Sequence, residues 1–210
     1  MSWKLLSDVR AAEQLREKAA APESQRIAPL LAESTFRYSS EQYPLTAALV
    51  EVLQLPCPLE ELHREIEGFS TDPACHNRVM RAKKRLLLPL TDTVRSKRFH
   101  LLYDQLVLRE LAPQLLRTVG VSSSTASSFY YSAVPTLRVQ QPSSLRQIRP
   151  HCDGMYDLQE GALNFWLPLT PVEPESTLHI ESEPGRRDYH PLLPKVGEMV
   201  RRIAHSECIS

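Results

Sequence analysis

The chain has 210 residues, 42% of them hydrophobic and 24% charged, enough to bury one substantial core or a core with a helical appendage. Lysine plus arginine and aspartate plus glutamate balance at 25 each, which speaks against a nucleic-acid or acidic-membrane binder, since such proteins carry a basic excess. No apolar stretch approaches the roughly 18 residues of a membrane span. Cys57, Cys75, Cys152 and Cys208 lack CxxC spacing, and Met1–Ala20 does not read as a signal peptide. The expectation is a soluble cytoplasmic protein with reduced thiols and no disulfide framework.

In chain order, residues 1–120 read as mostly helical. Leu5, Leu6, Val9, Ala12 and Leu15 recur at near-helical spacing, but Pro22 and Pro29 interrupt the pattern, so residues 1–35 are expected to form a loosely attached arm. Residues 36–121 are expected to be a helical region. Within it, Tyr43–Leu55 carries Leu45, Leu49, Val52 and Leu53 on one face and ends at Pro56 and Pro58. Leu59–Phe69 follows, with Glu60 and Glu61 suited to a helix N-terminus. The run Arg81, Lys83, Lys84, Arg85 reads as a solvated helix face and not a phosphate patch. The clearest helix is Arg95–Leu111, striped by Phe99, Leu102, Tyr103, Leu106 and Leu111; Pro113 should kink or restart it, and Gly120 is a plausible C-cap.

After the polar run Ser122–Ser128 the texture changes. β-Branched and aromatic residues alternate with polar ones, and Pro and Gly punctuate short runs. The candidate strands are Phe129–Gln140, Gln147–Asp153, Ala162–Leu169, Thr177–Glu181 and Glu198–Ile203. Residues 122–210 are therefore expected to form a β-rich core, giving an α+β protein whose helices pack on a sandwich or barrel.

One tripeptide, His151-Cys152-Asp153, falls on a predicted strand. Residues i and i+2 of a strand share a face, so an imidazole and a carboxylate there can reach one metal ion while Cys152 belongs to the other face. Such a pair is two thirds of the facial triad that holds non-haem Fe(II) and leaves positions open. Alone it proves little: with seven histidines, an HxD or HxE match is expected about 0.8 times by chance. His63 with Glu65, His179 with Glu181 and His205 with Glu207 are such matches. The first lies in a helical pattern, where i and i+2 diverge, and reads as surface.

The context of the tripeptide is more specific. Four ordered blocks, YSAVPTLRVQQPS at 131–143, HCDGMY at 151–156, GALNFWLPLT at 161–170 and TLHIESEPGRRD at 177–188, resemble the iron/2-oxoglutarate-dependent dioxygenase superfamily. Within it they are most similar to a group that includes a streptomycin-biosynthesis-associated oxygenase. The resemblance weakens through Phe99 and Tyr103 and does not reach the first ~40 residues.

The resemblance implies a double-stranded β-helix, a squashed jelly-roll barrel of two sheets holding Fe(II) at its mouth, with 2-oxoglutarate as cosubstrate, O₂ and a small-molecule substrate. It implies His151 and Asp153 as the first two ligands, and Asn164, Trp166 and Arg138 as residues of the cosubstrate pocket. The third ligand belongs to a later strand. His205 is the best match, although it comes earlier than the family's spacing; His190 is a weaker one, beside a Pro191 that suggests a loop. The family's Arg or Lys beyond that histidine, which anchors the far carboxylate of 2-oxoglutarate, has no counterpart before Ser210, and position 179 is His where related sequences have Trp. Arg201 or Arg202 would replace the anchor only if it faced inward, and adjacent strand residues cannot both do so. The implied activity is a hydroxylase-type oxygenase, or that of a C-terminally shortened relative. The alternatives are a catalytically inactive β-barrel serving as an interaction module, and a cupin-like metalloprotein using His151, Asp153 and His179 or His205 for another divalent metal.

Overall fold

A computed structural model describes residues 3–5, 30, 33–66, 72–119, 129–139, 151–152, 162–182, 185–203 and 208–209. The first half is built on helices. Helix α1 (Leu45–Leu53) buries Leu45, Ala48, Leu49, Val52 and Leu53, the i, i+3, i+4, i+7, i+8 stripe of an amphipathic helix. It ends where Gln54 turns into the left-handed region at φ 54°. The segment expected as a helix from Leu59 is a 3₁₀ helix, Leu59–Glu65, anchored by Leu62. Helix α2 (His76–Leu87) buries Val79 and Ala82.

Helix α3 (Lys97–Leu106) continues through a π-helical turn, Val107–Leu111, into α4 (Ala112–Thr118). The wide turn stands immediately before Pro113, whose ring and missing N–H would disturb an ordinary α-turn at Arg109. The expected interruption at Pro113 is therefore a π-bulge within a continuing rod. Gly120 lies outside the described residues. Among the described residues, no helix is long and apolar enough to cross a membrane.

Among the described residues, three small antiparallel sheets complete the α+β architecture. Strand β1 (Trp3–Leu5) pairs with β3 (Tyr130–Ser132). Strand β8 (Glu198–Ile203) lies between β2 (Ser34–Arg37) and β5 (Leu163–Trp166) in a three-stranded sheet. The four-stranded sheet has the order β4 (His151–Cys152), β9 (Cys208–Ile209), β6 (His179–Ile180), β7 (His190–Pro191). Between β4 and β9 the chain alternates between these last two sheets: β4 in one, β5 in the other, β6 and β7 back in the first, then β8 and β9 in turn.

Several expectations change here. Trp3–Leu5, read within a helical pattern, is extended and pairs with residues 130–132, and β2 crosses the expected end of the arm at residue 35. The strand expected over 129–140 is confined to Tyr130–Ser132. His190–Pro191, expected as a loop, is a strand; it lies at the edge of its sheet, where the missing N–H of proline costs no ladder bond.

The three-stranded sheet is covered on both faces. On one, Phe36 of β2 and Met199 of β8 join Leu45, Leu49, Val52, Leu62, Phe99, Leu106 and Leu111 in the main core, with Phe165 of β5 packed against it. Phe36 and Phe165 meet edge-on at 5.9 Å. On the other, Val200 of β8 and Trp166 of β5 pack with Ile180, Leu192 and Leu178, which come from β6 and the segments flanking β6 and β7. Strand alternation is the cause: Met199 and Val200, like Phe165 and Trp166, are consecutive and point opposite ways.

Polar contacts fix the layers. Tyr38 N–H donates to the Gly197 carbonyl at 2.8 Å. Gly197 has φ +93°, and a Cβ there would meet the Tyr38 oxygen at 3.2 Å, so glycine is required. Thr46 of α1 donates to the Leu169 carbonyl at 2.9 Å. The Tyr103 hydroxyl donates to the Ser132 carbonyl and the Tyr131 hydroxyl to Asp104, both at 2.9 Å, tying α3 to β3.

Candidate functional site

Of the residues singled out from sequence, His151 lies on a strand of the four-stranded sheet, and Asn164 and Trp166 lie on a strand of the three-stranded one. His151 opens β4, in the four-stranded sheet, as the tripeptide's strand assignment required. Its register partner is Ile209 of β9, and Cys152 stands opposite Cys208. Asp153 and His205 lie outside the described residues.

Asn164 and Trp166 are on β5, half-buried. Two positions apart, they share a face, and Trp166 identifies it as the one toward the four-stranded sheet. Trp166 thus fills the seam between the sheets with Val200, Ile180, Leu178 and Leu192. Arg138 is not part of this arrangement as expected: it is exposed, in a segment without strand pairing, between Leu137 and Val139, which pack toward the helical core.

The two arginines of β8 separate. Arg201 is fully buried on the helix-facing side, where its Nη2 donates to the Ser34 hydroxyl at 3.0 Å and its guanidinium lies 5.4 Å from the centre of the Phe36 ring. Burial pulls its pKa down from the usual arginine value. The register explains these neighbours: Ser34 and Phe165 both stand opposite Arg201. Arg202 is opposite Asn164 and two positions from Val200, so alternation places it on the inter-sheet face.

Of His179 and Glu181, the HxE pair expected on a strand, only His179 lies in β6, and Glu181, just beyond it, has its carboxylate engaged by backbone N–H groups. Glu181 is 2% exposed, and its carboxylate accepts the Gly185 N–H at 2.7 Å and the Arg187 N–H at 2.8 Å. Gly185 and Arg187 both have positive φ, 83° and 58°. Ser182 donates its N–H to Asp188 at 3.1 Å and its hydroxyl at 2.5 Å, which holds the Asp188 carboxyl below its ordinary range. Glu181 is therefore the fastener of a tight loop, satisfying backbone donors that would otherwise go unpaired beneath it. Sequence reasoning offered it as half of a metal pair; the Gly185 turn four residues on was the signal for a loop instead.

The basic run on α2 also divides. Arg81, Lys84 and Arg85 are exposed, as expected, but Lys83 is 7% exposed and desolvation lowers its pKa. Lys83 follows Val79 by four positions and so shares the buried stripe; its aliphatic stem suits that place better than its charge does.

Among the described residues, no three His, Cys, Asp or Glu side chains converge on a point. The only one of the expected three ligands within the described residues is His151, on a strand of the sheet that faces Asn164 and Trp166. Comparisons with family models, with curated proteins and with solved structures returned no match.

Proposed function

We propose that this chain is an Fe(II)- and 2-oxoglutarate-dependent oxygenase of the hydroxylase type, acting on a small molecule within a jelly-roll barrel formed by its two larger sheets. The observation that carries this reading is the antiparallel pairing of β4 with β9: the strand opening with His151 lies beside the strand that follows shortly after His205. A chain alternating between two sheets, with β4, β9, β6 and β7 in one and β5 and β8 in the other, supports the barrel. The apolar seam around Trp166 supports a site from which water is kept away.

His151, Asp153 and His205 would hold the ion. When bound, iron and 2-oxoglutarate supply the activation of O₂ that lets an unreactive C–H bond be hydroxylated. The chain's own part is placement. Asn164 is a neutral polar residue on the inter-sheet face, and Arg202, opposite it in the ladder, would be the cation for the far carboxylate of 2-oxoglutarate in place of the family's later one. Arg201, committed to Ser34 and Phe36, keeps β2 and β8 in register instead. Arg138, exposed, is withdrawn from the cosubstrate pocket.

Anaerobic protein given Fe(II) and 2-oxoglutarate should develop the weak metal-to-ligand absorption in the green. Folded protein without that band overturns the reading and leaves the non-catalytic barrel. His151→Ala should abolish the band. Arg202→Ala should keep iron binding but weaken 2-oxoglutarate by about 10- to 100-fold, the equivalent of ~1.5–3 kcal/mol for a charged hydrogen bond.

A further inference from the structure

Cysteine is scarce in this chain, four residues in 210, yet two of the four stand directly opposite one another in a ladder that pairs only two residues from each strand: Cys152 of β4 and Cys208 of β9. We infer that Cys152 and Cys208 are an oxidisable pair whose disulfide staples β4 to β9. Directly opposed residues of an antiparallel ladder have Cα atoms about 4.5–5.5 Å apart. Disulfides span Cα separations of about 4.4–6.8 Å, a range that contains the spacing of directly opposed ladder residues. The remaining cysteines do not compete by position. Cys57 lies between α1 and the 3₁₀ helix and Cys75 before α2, both as free thiols and both in the helical half.

The chemistry is ordinary exchange with a small-molecule disulfide such as oxidised glutathione. The thiolate of one cysteine attacks the glutathione S–S bond, forming a mixed disulfide and releasing one glutathione thiolate. The second cysteine, losing its proton, attacks the protein sulfur of that mixed disulfide and releases the second glutathione. Two electrons pass to glutathione, and one S–S bond replaces another. The pair thus stays a dithiol in reducing surroundings and closes in oxidising ones, which qualifies the expectation of inert reduced thiols.

The consequence is local. As consecutive strand residues, His151 and Cys152 belong to opposite faces of the sheet, so a bond at Cys152 does not occupy the face of the metal motif. It braces the pairing that brings the two ligand-bearing segments together. The inference rests on the β4–β9 register and stands apart from the iron reading.

The test uses the full chain, fully reduced and then equilibrated in glutathione buffers of rising oxidised fraction, alkylated, digested and mapped by mass spectrometry, with melting followed in parallel. The wild type, and a Cys57→Ser, Cys75→Ser variant, should each lose two alkylatable thiols, yield one peptide linking Cys152 to Cys208, and melt about 5–10 °C higher when oxidised. Cys152→Ser should show neither change while binding Fe(II) as the wild type does. Links to Cys57 or Cys75, links only between chains, or glutathione adducts that never close would overturn the inference. Failure of the staple with the green band intact removes only the staple; a staple without the band removes only the oxygenase.

Discussion

The two faces of the three-stranded sheet are buried by different means. Toward the helices, Phe36, Met199 and Phe165 enter a broad core shared with α1, α3 and the π-turn, and even the arginine on that side, Arg201, is fully enclosed and matched to Ser34. Toward the four-stranded sheet, the buried apolar set is Ile180, Leu192 and Val200, with Trp166 and Leu178 half-buried around it, and the remaining positions on that face include Asn164 and Arg202. One face has spent its area on packing. The other combines a thinner apolar seam with positions occupied by polar residues. A sheet with these two faces is held by a broad core on the helical side and by a thinner apolar seam on the other.

The strongest way to break that contrast is to hollow out each side in turn. Leu49, 1% exposed in the helical core, and Ile180, 1% exposed in the seam, should each cost about 2–5 kcal/mol when changed to alanine. Leu49→Ala should lower the denaturation midpoint of the whole chain. Ile180→Ala should act first on the strand half, seen as early loss of amide protection in β6 and β8 while α1 and α3 stay protected. If both variants unfold as one unit by every probe, the division between the faces is structural only and not energetic.

A smaller effect is expected at the loop beside the seam. Glu181→Ala deletes the acceptor of two backbone N–H groups and should cost about 1–3 kcal/mol, with Glu181→Gln recovering part of it. An equal loss of iron in both variants would instead give Glu181 a part in metal binding.

The smallest effect is confined to alkaline solution and tests the link between α3 and β3. Burial, with the Asp104 charge adding to it, pushes the Tyr103 phenol up to about 12 from its ordinary 10. The protonated form is the one the fold favours. Its contribution is complete below pH 10 and is lost as pH rises from 10 toward 12, where the unfolded chain ionises first. Absorbance titration of the phenols should show a late-ionising group of tyrosines, Tyr103 with Tyr38, Tyr43 and Tyr131, and one fewer of them in Tyr103→Phe; an undiminished late phase in that variant would mean that this end of α3 is open to water.

Much of this was legible in the residues, and the exceptions have physical reasons. Helices α1 and α3 were readable because an apolar stripe repeats over several turns; Glu198–Ile203 was expected as a strand too, although Met199-Val200 and Arg201-Arg202 stand side by side and no alternation shows in it. Strands β7 and β9 have two residues each, too few for any period to show, and β2 has four. Of the site, His151 on a strand and the shared face of Asn164 and Trp166 were readable locally. The choice between Arg201 and Arg202 was not, since it depends on which neighbour each face of β8 receives, a property of residues far away in the chain. The burial of Lys83 likewise needed the packed helix, although its position after Val79 was a hint.

That distance carries a consequence for how the protein is made. Arg37 and Glu198, partners across the β2–β8 ladder, are 161 positions apart, and Ser34 and Arg201 are 167 apart. On a ribosome, Phe36 and the helices that cover it emerge long before the strand against which they pack. Throughout that interval the greasy side of α1 and α3 has only provisional neighbours. Chain closure over so long a contour is slow, and it makes the nascent polypeptide a natural client of holding chaperones until β8 arrives.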